Sequence, residues 1–261
     1  MRARAATVED YADFGRFFAG LEIPDPTPSL DWWTSMYKSA VFIEEAGKPI
    51  AYGLAYALGH GSGYVLHVVV DRGARNRWVG RALMRALAAR LRAEGCTRWS
   101  LNVLADNAPA IALYRRAGMV VDHPSHSLMF PWTSVELLPR ESLACEVLTP
   151  ERDEEVERAL GVALGRITKA REVPGRVVHH VDGGVIVFDP GFPGTPLFRA
   201  RTPAIARTLL EAVAPHRKPE HGELRVNVEN HPELSAALVA LGGRVVMSMV
   251  HMTGPIVDIE E

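Results

Sequence analysis

The chain has 261 residues, of which 48% are hydrophobic, and its formal net charge is −2 at neutral pH. This composition supports sizeable cores in one large or two modest domains, and it excludes a mainly disordered chain. A net charge near zero does not favour nucleic acid or an anionic membrane as a partner, so we expect neither.

The two cysteines, Cys96 and Cys145, are far apart in the sequence. They form neither a disulfide framework nor a metal-ligand spacing, which fits a reducing, cytoplasmic location. The basic start of the chain is not followed by an apolar run, so no signal peptide is predicted. No segment has the roughly 20 apolar residues of a membrane span.

The first predicted elements are a short strand in "MRARAAT" and an amphipathic helix from about Val8 to Gly20. The Pro-rich, aromatic segment "LEIPDPTPSLDWW" leads to a second short helix near Trp32 to Ser39. A hairpin follows with its turn at Gly47, because glycine tolerates the positive φ of a tight turn. The continuous apolar run "YVLHVVV" predicts a strand that is buried on both faces.

Val79 to Ala93 is predicted to be a helix, because Leu83, Leu87 and Leu91 repeat every four residues. Gly95 can end this helix with a left-handed cap. The next strand is predicted in "RWSLNVLA".

A further helix is predicted in "DNAPAIALYRRAG", and "HSLMFPW" has the pattern of a closing strand. The helix has Asp106 or Asn107 as its cap and Pro109 in its first turn. Gly118 stands just past its end.

The order of elements repeats in the second half of the chain. "LACEVLTPERDEEVERAL" has a strand, Thr, an acidic turn and a helix, and "RVVHHVDGGVIVF" predicts a hairpin. "PLFRARTPAIARTLLEAV" predicts a strand that passes almost directly into a helix, and "LRVNVENHPELSAALVALGGRV" with "VMSMVHM" completes the series. We therefore expect two domains of similar order, 1–132 and 143–261, joined by a linker at 133–142.

The segment "RNRWVGRAL", between a strand and a helix, is typical of an anion site. The first amides of a helix have no intrahelical partner and carry the positive end of its dipole. Backbone amides in a tight loop before a helix bind phosphate, and Gly80 would let a ligand approach closely. The nearby cationic residues are Arg72, Arg75, Arg77 and Arg81. The alternative is an ordinary basic turn before a surface helix.

Tyr114 lies two turns into the later helix, on one face with Ala110 and Ala117. A phenol with a pKa of about 10 can donate a proton to a departing thiolate. The alternative is a core tyrosine with its hydroxyl at the rim.

Together these two stretches resemble the GNAT (Gcn5-related N-acetyltransferase) superfamily. The family's loop motif is Arg or Gln, two residues, Gly, one residue, and Gly or Ala. It falls here on Arg75, Trp78 and Gly80. The family's later motif falls on Asn107, Ala110, Leu113-Tyr114 and Gly118-Met119. The resemblance covers about Met1 to Trp132.

The resemblance implies an α/β fold with two tandem GNAT-like domains, each with a central mixed sheet flanked by helices. It implies an N-acyltransferase that uses acetyl-CoA or another acyl-CoA. The acceptor would be a primary amine of a small molecule or peptide, and Tyr114 would protonate the CoA thiolate.

The resemblance also implies the cofactor site. The diphosphate would lie on loop amides, and the pantetheine arm would pair with an exposed strand and contact Asn107. The implied residues are Val68, Val69, Val70, Arg75, Asn76, Arg77, Trp78, Val79, Gly80, Arg81, Ala82, Asn107 and Tyr114.

The chain departs from the family pattern at two places. Trp78 replaces a glycine, which costs about 1–2 kcal/mol if φ is positive there and nothing if the residue is in the α region. Many family members use a Glu on the fourth strand as general base, but the equivalent register here falls near Tyr64. His60 and His67 are the other candidates nearby.

The second half lacks both motifs, so we expect a degenerate GNAT-like repeat that shapes the acceptor site. Its histidines have no acidic or Cys partners at ligand spacing, so no metal site is predicted. A homodimer is possible. Two other functions stay open: a non-catalytic acyl-CoA-binding or regulatory protein, and a tandem enzyme that acylates a small thiol precursor or an antibiotic-like amine.

Overall fold

The structure is a computed structural model that describes residues 1–21, 23, 25–192 and 194–259. Glu22 and Pro24 of the Pro-rich segment lie outside the described residues. The backbone forms two compact units. The first comprises Met1–Val103, Asn107–Val121 and Met252–Glu261, and the second Leu104–Asp106 and Asp122–His251. The division into domains at residues 132 and 143 stays a prediction.

The first unit contains a mixed sheet with strands in the order β1-β2-β3-β4-β5. Neighbours are antiparallel except β4 and β5, which are parallel. The strands are β1 (Arg2–Ala5), β2 (Ala40–Glu45), β3 (Lys48–Gly59), β4 (Ser62–Val70) and β5 (Arg98–Leu104). The helices are α1 (Tyr11–Ala19), α2 (Leu30–Met36), α3 (Val79–Ala93) and α4 (Ala108–Arg116).

Helices cover both faces of this sheet because successive side chains of a strand point to opposite faces. Tyr52 of β3 packs into an aromatic cluster with residues of α1 and α2. A Cβ on the next residue, Gly53, would lie 2.9 Å from Leu87 Cδ1 of α3. Glycine at this position therefore lets α3 lie close to the sheet.

The predicted helices and strands of the first half are confirmed, including α3 and its buried leucine stripe. Asn107 rather than Asp106 caps α4, because its side chain accepts a hydrogen bond from Ala110 N at 3.2 Å. Gly95 and Gly118 both have positive φ just beyond their helices.

The prediction that β4 is buried on both faces is wrong. Val65, His67 and Val69 are buried, whereas Leu66 is 36% exposed and Val68 and Val70 are only half-buried. An apolar run does not show that β4 loses β5 as a neighbour after Tyr64, and Leu66, Val68 and Val70 all lie beyond that point.

The second unit repeats this element order. Its strands β6 (Val120–Pro131), β7 (Glu146–Val147), β8 (Val177–Val181), β9 (Gly184–Asp189), β10 (Gly194–Ala200), β11 (Glu223–Glu229) and β12 (Arg244–Pro255) are ordered β12-β6-β11-β10-β9-β8-β7. Its helices are α5 (Asp153–Leu160), α6 (Arg166–Arg171), α7 (Pro203–Val213) and α8 (Pro232–Ala240). Thr202 caps α7 through Ile205 N, as predicted.

The sequence did not predict α6, which is too short to show helical periodicity. Its start is held by the buried carboxylate of Glu157, which accepts hydrogen bonds from Gly165 N at 2.7 Å and Ile167 N at 2.6 Å. Within the described residues, no helix is long and apolar enough to cross a membrane.

Candidate functional site

The parallel strands β4 and β5 pair over only a short stretch. Their register covers Ser62, Gly63 and Tyr64 of β4, and from Val65 onward β4 has no paired residue on β5 in the described chain. At the same place Leu66 is an extra residue, because Leu54 of β3 pairs with His67 and Ala55 pairs with Val65. The bulge and the lost pairing together open a gap beside the second half of β4.

The backbone groups that face this gap belong to Val68 and Val70. Asp71 N donates to Ile50 O at 3.0 Å, so the hydrogen-bonded pairs with β3 fall on alternate residues. The backbone N–H and C=O of Val69, opposite Tyr52, therefore point toward β3. Those of Val68 and Val70 point away from it. Of the three residues predicted to pair with a pantetheine arm, two thus have their polar backbone groups on the open edge.

The loop between β4 and α3 has the backbone geometry of an anion site. Asn76 and Trp78 both have positive φ, at 60° and 63°. When residues in the left-handed conformation alternate with right-handed ones, successive backbone N–H groups point into one concave surface. The first hydrogen bond of α3 is Ala82 N to Trp78 O at 3.0 Å, so the amides of Val79, Gly80 and Arg81 have no acceptor within the helix.

The arginines of the loop contact different partners. Arg75 Nε donates to Val70 O at 3.2 Å, at the open edge of β4. Arg77 forms an ion pair with Glu45 at 2.7 Å, and the guanidinium of Arg81 lies 4.3 Å from the centre of the Trp78 ring. Arg75 therefore contacts the strand edge directly, and the charge of Arg77 is partly balanced by Glu45.

The structure decides between the two conformations considered for Trp78. Its φ of 63° and ψ of 1° are left-handed, and its side chain is 63% exposed. A left-handed conformation costs a non-glycine residue about 1–2 kcal/mol. Apart from Arg81, little packing compensates this cost, and backbone strain of this kind is concentrated at functional sites.

Gly80 packs closely against α4. A Cβ at this position would lie 3.1 Å from Leu113 Cδ2 of α4. Bulk at Gly80 would thus press on α4, so its effect on a ligand has to be separated from its effect on helix packing.

Tyr114 is 6% exposed on α4, and burial raises the pKa of its phenol above the usual value. The phenol therefore stays protonated over the physiological range, which is the form from which a general acid starts. The side-chain oxygen of Asn107 is occupied as the cap of α4, which leaves its NH₂ group for a ligand.

The three candidate bases lie in different surroundings. His60 is exposed in the β3–β4 turn, at the end of β4 opposite the loop. The Tyr64 hydroxyl accepts a hydrogen bond from Asn102 Nδ2 at 3.3 Å, where β4 and β5 separate. His67 is buried in the aromatic cluster, with Nδ1 3.3 Å from the Tyr52 hydroxyl, and burial lowers its pKa to about 4.

Sequence reasoning missed the contribution of α1 to this region. A pocket of about 290 Å³ lies between the end of α1 and the end of β4. Its lining residues are Arg16, Phe17, Ala19, Gly20, Val69, Val70, Asp71, Arg72 and Arg75. Arg16 pairs with Asp71 at 2.9 Å across it. No local motif marks Arg16, because its partner Asp71 is 55 residues away in the sequence.

Residues 7–119, which contain this loop and helix, match the sequence model of the Acetyltransferase (GNAT) family. The expected resemblance to the GNAT superfamily is thus confirmed for this part of the chain. Among curated proteins, none matches the chain.

Solved structures with the same fold extend over both units. A candidate acetyltransferase from Pyrococcus horikoshii is 15% identical, with 100% of this chain and 91% of that chain covered and a TM-score of 0.73. A GCN5-related N-acetyltransferase from Sphaerobacter thermophilus is 16% identical, with 100% and 97% covered and a TM-score of 0.68. A tandem GNAT protein from the clavulanic acid biosynthesis pathway is 17% identical, with 97% and 96% covered and a TM-score of 0.62. The predicted α/β fold in a tandem arrangement is confirmed.

The strain at Trp78 can be measured with two variants. Trp78→Gly and Trp78→Ala both lose the indole and its contact with Arg81, but only glycine relieves the positive φ. We expect the glycine variant to be more stable than the alanine variant by about 1 kcal/mol. Urea unfolding at one ionic strength gives this difference, and equal free energies of unfolding would contradict the strain.

His67 should make the protein sensitive to acid. Its pKa is about 4 when folded and near 6.5 when unfolded, so the unfolded chain binds more protons between these values. Stability is therefore present above pH 6.5 and is lost as pH falls toward 4, by about 2–3 kcal/mol. We expect His67→Leu to reduce the loss in unfolding free energy between pH 7 and pH 4. His60→Gln is the control, and an unchanged loss in His67→Leu would contradict this assignment.

Proposed function

We propose that the first unit transfers an acyl group from acetyl-CoA, or another acyl-CoA, to the primary amine of a small molecule or peptide. The observation that carries this proposal is the gap between β4 and β5 next to a left-handed, amide-rich loop. An extended amide-containing arm can pair with the open edge of β4, and a diphosphate suits the loop that follows.

In this proposal the diphosphate of CoA is bound by the amides of Val79, Gly80 and Arg81. Arg75 adds a positive charge where the loop meets the strand. Trp78 does not remove a donor from this set, because every residue except proline has a backbone N–H. The amide of Ala82, by contrast, already donates to Trp78 O within the helix.

The pantetheine arm would bind along Val68 and Val70, with the NH₂ group of Asn107 as a further contact. Tyr114 would donate its proton to the sulfur as the bond between sulfur and the acyl carbon breaks. The phenol is protonated when the reaction begins, as a proton donor must be, although burial raises its pKa and so makes it a weaker acid. The acceptor amine would lose its proton to water, which the Tyr64 hydroxyl can orient.

The second unit also has a parallel strand pair with a short backbone ladder, and charged side chains bridge its two strands. Its parallel strands β10 and β11 pair only at Gly194 and Arg225 among the described residues. Arg199 of β10 forms an ion pair with Glu229 of β11, and Arg166 of α6 binds the same carboxylate at 3.0 Å. Burial alone would raise the pKa of Glu229, but the two arginines outweigh it and hold that pKa well below its usual range.

The second unit also lacks a loop between strand and helix, because only Arg201 and Thr202 separate β10 from α7. These two features support a single cofactor site, in the first unit. The predicted homodimer and cytoplasmic location stay predictions.

Binding of CoA tests the location of the site. Calorimetry should give one CoA per chain, and Gly80→Val should weaken binding much more than Trp78→Gly. The double variant Gly80→Val/Leu113→Ala makes room in α4 for the added methyl groups. If bulk at residue 80 hinders the ligand, we expect the double variant to bind CoA as weakly as Gly80→Val. If the loss comes from helix packing, we expect CoA binding to recover in the double variant.

Two of the possible results would refute the proposal. Two comparable sites per chain would contradict the assignment to the first unit alone. If Gly80→Val binds CoA as tightly as the parent protein, the diphosphate is not bound on this loop.

Replacing the phenol tests the chemical step. Tyr114→Phe should leave the Kd of CoA nearly unchanged and lower kcat by about 10²–10⁴-fold, because the hydroxyl acts only on the leaving sulfur. CoA release from acetyl-CoA, with an amine found by screening, measures the rate, and Tyr37→Phe is a control outside the site. Equal kcat values in the parent and Tyr114→Phe, with chemistry rate-limiting, would exclude Tyr114 from the mechanism.

A further inference from the structure

Three side chains of the second unit converge in a way that the proposed acyl transfer does not use. The imidazole rings of His123 on β6 and His251 on β12 stack with their centres 4.5 Å apart and their planes 15° apart. Both Nδ1 atoms face one oxygen of Asp122: His123 Nδ1 lies 3.0 Å and His251 Nδ1 lies 3.3 Å from Oδ2. The potential ligand atoms of the three residues all lie within 4.8 Å of one another.

We propose that Asp122, His123 and His251 form a binding site for a divalent transition metal such as Zn²⁺. In a tetrahedral site with Zn–N and Zn–O bonds of about 2.0–2.1 Å, the ligand atoms are about 3.3 Å apart. The two Nδ1–Oδ2 distances already have this value within 0.3 Å. Two imidazole nitrogens and one carboxylate oxygen favour Zn²⁺ and similar metals over Mg²⁺ or Ca²⁺, which prefer oxygen ligands.

The hydrogen bonds within the cluster leave one buried nitrogen without a partner among the described residues. Nε2 of His123 is buried and has no hydrogen-bond partner among the described residues. If Nδ1 carries the ring proton, a lone pair on Nε2 is left buried, and if Nε2 carries it, Nδ1 places a lone pair against the carboxylate. A cation among the two Nδ1 atoms and Oδ2 removes this second conflict, because all three atoms then act as donors of electron pairs to the metal.

The surrounding charges allow a cation here. The charged groups that act on His251 from neighbouring elements are Arg166, Glu229 and Asp122. Arg166 is paired with Glu229 at 3.0 Å, so its charge is largely balanced within the protein.

The site is open on one side. The side chain of Asp122 is half-exposed, and Asp122 and His123 line a cavity of about 370 Å³ next to the ends of β10 and β11. Three protein ligands and an open fourth position are typical of metals that bind water or a small ligand. Sequence spacing could not indicate this site, because Asp122 and His251 are 129 residues apart.

Metal binding by the tag-free, chelator-treated full-length protein tests the proposal. Calorimetry with Zn²⁺ should give one site per chain, and Co²⁺ should give the visible absorption of a tetrahedral site with nitrogen and oxygen ligands. We expect His123→Ala, His251→Ala and Asp122→Asn each to weaken Zn²⁺ binding at least tenfold, as loss of even a supporting residue does at metal sites. His216→Ala, at an exposed histidine outside the cluster, should bind Zn²⁺ as the parent does.

Asp122→Asn keeps the size and half-exposed position of the side chain, so it provides a result even if the histidine variants fail to fold. Zn²⁺ should also raise the Tm of the parent, and the rise should be smaller in Asp122→Asn. The proposal is overturned if the parent binds no Zn²⁺, or if Asp122→Asn and the folded histidine variants bind it as tightly as the parent. Because none of these measurements involves CoA, they are independent of the proposed acyl transfer.

Discussion

The first unit depends on the separation of two parallel strands. A buried sheet normally pairs every backbone N–H and C=O, since an unpaired polar group away from water is costly. Here β4 leaves β5 after Tyr64, and the bulge at Leu66 turns the edge of Val68 and Val70 outward. The edge is therefore stable only with water or with a ligand that offers the missing hydrogen-bond partners. The left-handed loop and the uncapped start of α3 continue the same row of unsatisfied amides.

In the second unit the parallel strands β10 and β11 are bridged by charged side chains. Arg199 and Arg166, both partly buried, pair with the buried carboxylate of Glu229. Such a cluster contributes little net stability compared with apolar packing, but the loss of one partner is strongly destabilising because the others stay buried and charged. In the second unit the two strands are thus held together by charged side chains of the chain itself.

The sequence predicted those parts of the molecule that depend on local pattern. The leucine repeat located α3, and the cap and proline located α4, because both signals lie within a few residues of the helix they define. The conformation of Trp78 could not be predicted, since tryptophan carries no preference for positive φ. The close packing at Gly80 could not be predicted either, because it depends on Leu113 in another helix. The cluster around His251 and the pocket beside Arg16 likewise depend on residues brought together from distant parts of the chain.

The first unit is not a continuous piece of chain, and this affects how it can be made. Ile256 N donates to Thr97 O at 2.8 Å, and a Cβ on Gly254 would lie only 2.1 Å from Gly118 O, so the late segment contacts the earlier backbone directly. Ribosomes add about 5–20 residues per second, so the early part of the unit waits on the order of ten seconds for this segment. During translation the edge of β5 around Trp99 is uncovered, and open strand edges invite aggregation. The first unit can therefore be completed only after the segment from Met252 onward has left the ribosome.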